Sequence, residues 1–447
     1  MIKNKLMNRL DCWDKFLEYN AKKFELTERQ TEIFKCRFTL VNQSLNEREI
    51  FELLETLHIS EETFVGEKSI IYQQFTNLPG GYSKLSDSPH KYKPLKEWLK
   101  EKKYPEWLET YSPNDSNICY LERANEYICF KELLQENAFV RVKAPKRFGK
   151  TTLMNRILSG FKNRGYQTAC FDFGALDRKM FSNYERFCQG FCAGITHTLN
   201  LSEQVANYWL ELLGSNQNTT RYFEEYLLPT IEQPTIIGLD GLDCVFEQNE
   251  IATDFCRLLR GWRENRPDIW QKLKLIIAHN TDVYSGLSIN NSPLAGIGMV
   301  IPLAPFSIEE VQSLAQLHKL PLNFSQFTEL MKLTGGHPYL VSLAFEHLRG
   351  LEKAEKITGW QKFIRIAPSD EGIYRNHLLE LAGILNQNQR LATAFAQVIE
   401  ADEPIFLASD IGFKLVSLGL VKVAGNLYSS QCELYRQYFL AHIDELR

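Results

Sequence analysis

The 447-residue sequence predicts an α/β fold in which a parallel sheet carries the chemistry and helical domains flank it on both sides. Three observations carry that prediction. A short apolar strand, Phe139 to Val142, runs through a tight loop straight into a pattern with Leu153, Ile157, Leu158 and Phe161 at helical spacing. Further apolar runs of strand length, Gln167 to Phe173, Thr235 to Asp240 and Leu273 to Ala278, alternate with helical stretches, as the βαβ units of a parallel sheet do. Residues before about 90 and after about 305 show helical periodicity, broken near the C-terminus by a hairpin signature at Gly425-Asn426.

Residues 1–90 read as an all-α domain. Thr27-Glu28-Arg29-Gln30 has the form of a capping box opening a helix with Ile33, Phe34 and Phe38; Asn46 starts a second helix, and Ser60 a third. The layout resembles the helix-turn-helix that precedes ATPase modules in some bacterial conflict and signalling proteins. The third helix, however, bears Glu61, Glu62 and Glu67 against Lys68, and residues 1–110 hold eighteen basic and eighteen acidic side chains. Acids facing phosphates repel, so protein contact is favoured over nucleic acid here, which stays possible. Residues 91–118 read as a linker, with a run of lysines from Lys91 to Lys103 interleaved with Trp98 and Trp107 on a solvated amphipathic helix.

Composition excludes several classes. A formal net charge of −4 makes the whole chain a poor binder of polyanions. Ten cysteines without a CxxC pair or metal spacing read as reduced, buried thiols of a cytoplasmic protein. The charged N-terminus is no signal peptide, and no apolar run approaches a membrane span.

The core module, residues 119–304, is built around Ala144-Pro145-Lys146-Arg147-Phe148-Gly149-Lys150-Thr151, which matches the phosphate-loop pattern except for Ala144 at its first position. Backbone N–H groups at a helix start, helped by the partial positive charge there, hold phosphates. Lys150 is expected to reach the β- and γ-phosphates, Thr151 to ligate Mg²⁺, and Thr152 to lie with the loop against the nucleotide. The strand ending in Asp240 supplies the second expected Mg²⁺ anchor. Hydrolytic relatives follow that acid with another, but this chain has Gly241; Asp243, one turn on, can substitute only if the turn aims it back. At the tip of the next strand, Asn280 or Thr281 is expected to sense the γ-phosphate or position water, the choice depending on the pleat. Arg257 and Arg260 read as surface or ion-paired residues, with an arginine-finger role as the sharper alternative.

A helical lid, 305–370, opens with the N-cap Ser307 and ends in Gly335-Gly336-His337-Pro338, a stiff bend that can wall the adenine base. Residues 371–447 show helical patterning over Leu378 to Val398 and Ile411 to Leu418, then two short strands about Gly425-Asn426, which together predict a winged helix.

Several stretches together resemble the AAA-like ATPase domain family abundant in cyanobacteria and allied to the STAND class of signalling ATPases: Tyr120 to Arg123, Val142 to Thr151, Asp254 to Trp262, His279 to Tyr284, Gly335 to Leu340 and Cys432 to Arg436. In that family Ala followed by Pro is usual at the start of the loop, whereas Glu is usual where this chain has Gly241. The resemblance implies a P-loop NTPase parallel sheet with helical lid and winged helix, using ATP and Mg²⁺. Residues 144–152, Arg123, His337 and Pro338 would lie against the nucleotide, and Lys150, Asp240, Asp243 and Asn280 would serve catalysis. It also implies an ATP-dependent switch in signalling or defence, with hydrolysis placed in doubt by Gly241 and with nucleotide-dependent self-association open. The competing expectations are a DNA-associated ATPase using both helical ends and an ATP-binding scaffold without turnover.

Overall fold

The computed structural model describes residues 10–39, 42, 46–54, 59–86, 90–104, 120–121, 123–263, 268–280, 294, 296–350 and 356–447. The chain forms two compact units, Met1–Tyr127 and Ile128–Arg447.

Capping chemistry sets the helices of the first unit. Helix α1 (Leu10–Lys23) precedes α2 (Glu28–Phe38), α3 (Glu47–Glu52) and α4 (Glu61–Asn77). Thr27 and Asn46 make full capping boxes with Gln30 and Glu49, and the Ser60 hydroxyl accepts from the Thr63 amide, so three helix starts lie where the sequence put them. α1 was missed, because its apolar residues Trp13, Phe16 and Leu17 are spaced among charges. Its aromatic face fills the core with Phe24, Phe34, Phe38 and Phe75. Residues expected to be a linker instead form α5 (Tyr92–Trp98) and a π-helical turn to Lys103, and bury Leu95, Trp98, Leu99 and Tyr104 in this same core. Fully burying a side chain of that size stabilises by about 2–3 kcal/mol, more than the lysines between them lose by lying at the rim. On α4, Lys68 is taken by Glu47 at 2.6 Å.

The second unit centres on a five-stranded, wholly parallel sheet in the order β2-β3-β4-β1-β5: β1 Phe139–Lys143, β2 Gln167–Asp172, β3 Thr235–Asp240, β4 Leu273–His279 and β5 Met299–Pro302. β5 was not expected, since its four residues are mostly exposed and show no buried apolar run. Helix α6 (Lys150–Lys162) makes the first crossover and packs Leu153, Met154, Ile157, Leu158 and Phe161 inward. The Phe191 ring on α7 (Tyr184–Thr198) packs edge-on against Phe171, and with Phe173, Phe223, Phe255 and Trp262 builds an aromatic core. Because every strand runs the same way, the ends carrying Lys143, Asp172, Asp240 and His279 gather at one edge, with Lys143 in register with His279 and Asp172 with Asp240.

Helices α8 (Asn249–Gly261), α9 (Ile308–Leu317), α10 (Phe324–Thr334), α11 (Pro338–Gly350) and α12 (Lys356–Ile366) follow, the last four forming the helical lid. The single pattern read from Leu378 to Val398 is two helices, α13 (Arg375–Asn386) and α14 (Gln389–Glu400). Asn388 breaks them by leaving helical geometry and capping the Leu391 amide. α15 (Ser409–Ser417), the antiparallel hairpin β6 (Val421–Ala424) and β7 (Leu427–Ser430), and α16 (Glu433–Ala441) complete the winged helix. Among the described residues no helix is long and apolar enough to cross a membrane.

Candidate functional site

The loop between β1 and α6 is shaped by its backbone. Gly149 caps α6 in the left-handed region at φ 86°, and Arg147, also left-handed at φ 65°, turns the chain two residues earlier. The loop is tied to the neighbouring strand by the Ala144 amide, which donates to the His279 carbonyl at 3.4 Å. Its mouth is closed by Lys150, whose Nζ donates to the carbonyls of Ala144 (3.0 Å) and Pro145 (2.9 Å) and to Asn280 Oδ1 (2.7 Å). All three ammonium protons are engaged, so an anion arriving there must displace one of these acceptors.

Insertion of β4 between β1 and β3 brings Asn280 between the loop and the acidic strand end. Its side chain accepts from Lys150 while its amide donates to Asp243 Oδ1 at 2.8 Å. Asn280 therefore faces the loop, while Thr281 and Asp282 lie outside the described residues. Asp243 is aimed back at the site, as substitution for an acid at 241 would need. Burial pushes its carboxyl up, against the Asn280 amide and Lys150, which pull it down. Burial likewise lowers the Lys150 ammonium to about 8, against the opposing pull of Asp243 and Asp240. Asp240 is half-buried and accepts from the Gly241 amide at 2.9 Å. The amine and the two acids therefore share one edge of the sheet.

Gly241 lacks more than a side chain. It is left-handed at φ 65°, and a Cβ there would lie 2.9 Å from Asp172 Oδ1 and 3.0 Å from the Gly174 amide nitrogen. The Asp172 carboxylate, which accepts from that same Gly174 amide at 2.8 Å, occupies the space a side chain at 241 would enter. Sequence reasoning passed over Asp172; its signal was an acid ending the strand beside the Asp240 strand.

The other predicted residues fall in three places. Thr151 and Thr152 sit exposed on the first turn of α6. His337 packs its ring edge-on against Phe148 at 4.5 Å, and Pro338 is buried at the start of α11. The bend leading to them is held tightly: a Cβ at Gly335 would lie 2.5 Å from the Gln431 carbonyl oxygen, and one at Gly336 would lie 2.2 Å from that of Phe306. Arg123 belongs to the first unit, where its amide donates to Glu126 at 3.4 Å. Arg257 pairs with Asp254 at 3.0 Å on its own helix, the surface reading of that residue.

Lys146 and Arg147 turn outward to α13. Lys146 Nζ lies 2.6 Å from Glu380 Oε1, and Arg147 donates to the other oxygen of that carboxylate. A hydrogen bond from Lys146 and the charges of both cations hold the Glu380 carboxyl below the usual range. Arg147 also donates to His377 Nδ1 at 3.0 Å, so the proton of that ring sits on Nε2, which donates to the Tyr435 hydroxyl at 2.7 Å. Burial, then the Arg147 charge, pulls His377 down to about 4, which keeps it neutral. No local pattern pointed to Glu380 or His377, since Arg147 and Glu380 stand 233 residues apart.

A model of the AAA-like domain matches residues 108–441. The chain belongs to the AAA-like domain family. Among solved structures, this AAA-like domain is similar to the ORC2 protein of Aeropyrum pernix in its ADPNP–ADP complexes. That match is 14% identical, covers 75% of this chain and 97% of that one, and has a TM-score of 0.40. A RuvB mutant of Thermotoga maritima is 14% identical over 66% of this chain and 84% of its own, with a TM-score of 0.33. A signal transduction ATPase with numerous domains from Pyrococcus horikoshii, which has a tetratricopeptide repeat sensor, is 15% identical over 73% of this chain and 44% of its own, with a TM-score of 0.34. No curated protein matches the chain.

Proposed function

We propose that this AAA-like domain is an ATP-binding regulatory switch with weak hydrolysis. The observation that carries the reading is the convergence of Lys150, Asn280, Asp240 and Asp243 on the mouth of a loop whose next residues, Lys146 and Arg147, are gripped by the winged helix. Residues 144–152 hold the phosphates of ATP or ADP, with Lys150 giving up a carbonyl for a phosphate oxygen and Asn280 following it. The donors fit Mg²⁺, since Thr151 and Asp240 offer hard oxygen atoms of the kind that ion takes. Thr151 would hold it through one hydroxyl and Asp240 through one carboxylate. Bound there, Mg²⁺ neutralises phosphate charge. His337 and Pro338 flank the base. Asp243, whose Oδ1 is already taken by the Asn280 amide, is a poor substitute for a water-activating Glu at 241, so turnover is slow.

The first unit conveys the nucleotide state to a protein partner in the cytoplasm; its acidic α4, with Lys68 already paired, favours that over nucleic acid. Nucleotide-dependent self-association is a further part of this reading. The test is a paired measurement on the purified chain of ATP and ADP affinity by calorimetry and of phosphate release. Saturable, Mg²⁺-dependent ATP binding with turnover well below about 1 s⁻¹ is expected; absence of saturable binding overturns the proposal.

A further inference from the structure

The outward face of the phosphate loop is closed by four segments of the lid and winged helix. Arg147 lies over the Tyr339 ring of α11 at 4.4 Å. Glu380 and His377 of α13 take the two loop cations, and Tyr435 of α16 backs His377. At the end of α15, the Ser417 carbonyl accepts from the Lys146 amide at 3.4 Å, and a Cβ at Gly419 would stand 3.3 Å from that of Pro145. A lone ion pair on a surface contributes little. Here one carboxylate is shared by two cations, and one of those cations is fixed further by an aromatic face and by the buried His377–Tyr435 pair, so the contact is a network with one geometry.

The chemistry of that network is unusual in its location. A loop of the kind that recognises polyanions has its cations Lys146 and Arg147 neutralised by a carboxylate that stands 233 residues from Arg147 in sequence. A nucleoside triphosphate brings several negative charges to the other side of the same short loop, where they draw on the same two cations and repel the same carboxylate.

We infer that Glu380 is an internal competitor of the nucleotide: it latches the winged helix to the empty phosphate loop, and triphosphate binding loosens that latch by taking Lys146 and Arg147 from it. The inference rests on the nucleotide reading above and adds how the site is regulated. Linkage fixes the sign. If triphosphate opens the latch, then opening the latch by substitution must strengthen triphosphate binding by the same factor.

The test uses the full chain and the substitution Glu380→Gln, which keeps the shape of the side chain and removes its charge. Calorimetry with Mg-ATP should show binding about five- to tenfold tighter than wild type. Amide exchange over 375–386 should be faster in nucleotide-free Glu380→Gln than in nucleotide-free wild type, at the level the wild type reaches on adding ATP. Lys146→Gln, which breaks the other half of the pair, should speed the same amides without nucleotide, guarding against a folding defect peculiar to position 380. Unchanged or weaker ATP affinity in Glu380→Gln, or equal exchange over α13 in all three proteins, overturns the latch while leaving nucleotide binding intact. A wild type that binds no ATP removes both.

Discussion

The two ends of the sheet edge differ in how complete they are. On the β1 side, the loop, Lys150 and the tip of β4 interlock, the Lys150 ammonium finding three acceptors within 3.0 Å. On the β3 side, the backbone turns left-handed immediately after Asp240, and a carboxylate from β2 fills the room beside it. The first is a closed set of hydrogen bonds around one ammonium group; the second is a strand end whose free space another carboxylate already fills. On the proposed reading, gripping phosphates and activating water would draw on different strands and could be altered separately.

Three experiments break or sharpen this contrast. The largest effect is expected from Lys150→Ala, which removes a charged donor from the loop and should weaken ATP binding about 30- to 100-fold, or roughly 2–3 kcal/mol. Affinity within a factor of three of wild type, measured by calorimetry, would place the nucleotide elsewhere. Next comes Gly241→Glu. If a missing carboxylate were the sole defect, the change would raise phosphate release; the left-handed backbone and Asp172 instead predict a loss of stability of about 1–3 kcal/mol and no gain in turnover. Denaturant melts and phosphate-release rates decide, and a faster, equally stable variant would sink the account of this turn.

The smallest effect is in pH. Nucleotide phosphates favour the ammonium form of Lys150, so the bound group titrates higher than the free one, which burial lowers to about 8. Affinity should be flat below pH 8 and fall above it, by at most about tenfold per pH unit. A profile flat to pH 9.5 would mean that Lys150 is not in contact with the phosphates.

Much of this was legible beforehand, for local reasons. The loop motif, the strand-plus-Asp pattern and the Ser, Thr and Asn caps are short-range signals, and each fell where expected because neighbouring residues alone determine it. Gly335-Gly336 likewise announced its bend, and the close carbonyls of Gln431 and Phe306 show why a side chain is not tolerated there. What could not be read is long-range. Glu380 looked like one more polar residue on a helix, and Asp172 like the end of a strand, until folding set them beside Arg147 and Gly241. The lysine-rich stretch 91–104 misled because its charges outnumber Leu95, Trp98, Leu99 and Tyr104, although those four decide its place.

Arg147 has a further consequence through its backbone. At φ 65° it occupies a region that Gly and Asn enter at little cost and β-branched residues avoid. Genetic drift at this codon is therefore channelled: Gly or Asn keeps the turn and discards the guanidinium, whereas Val or Ile distorts the turn itself. One codon can in this way strip the loop of its contacts to His377 and Tyr339 and halve its grip on Glu380, with Lys146 keeping the other half and the turn left intact.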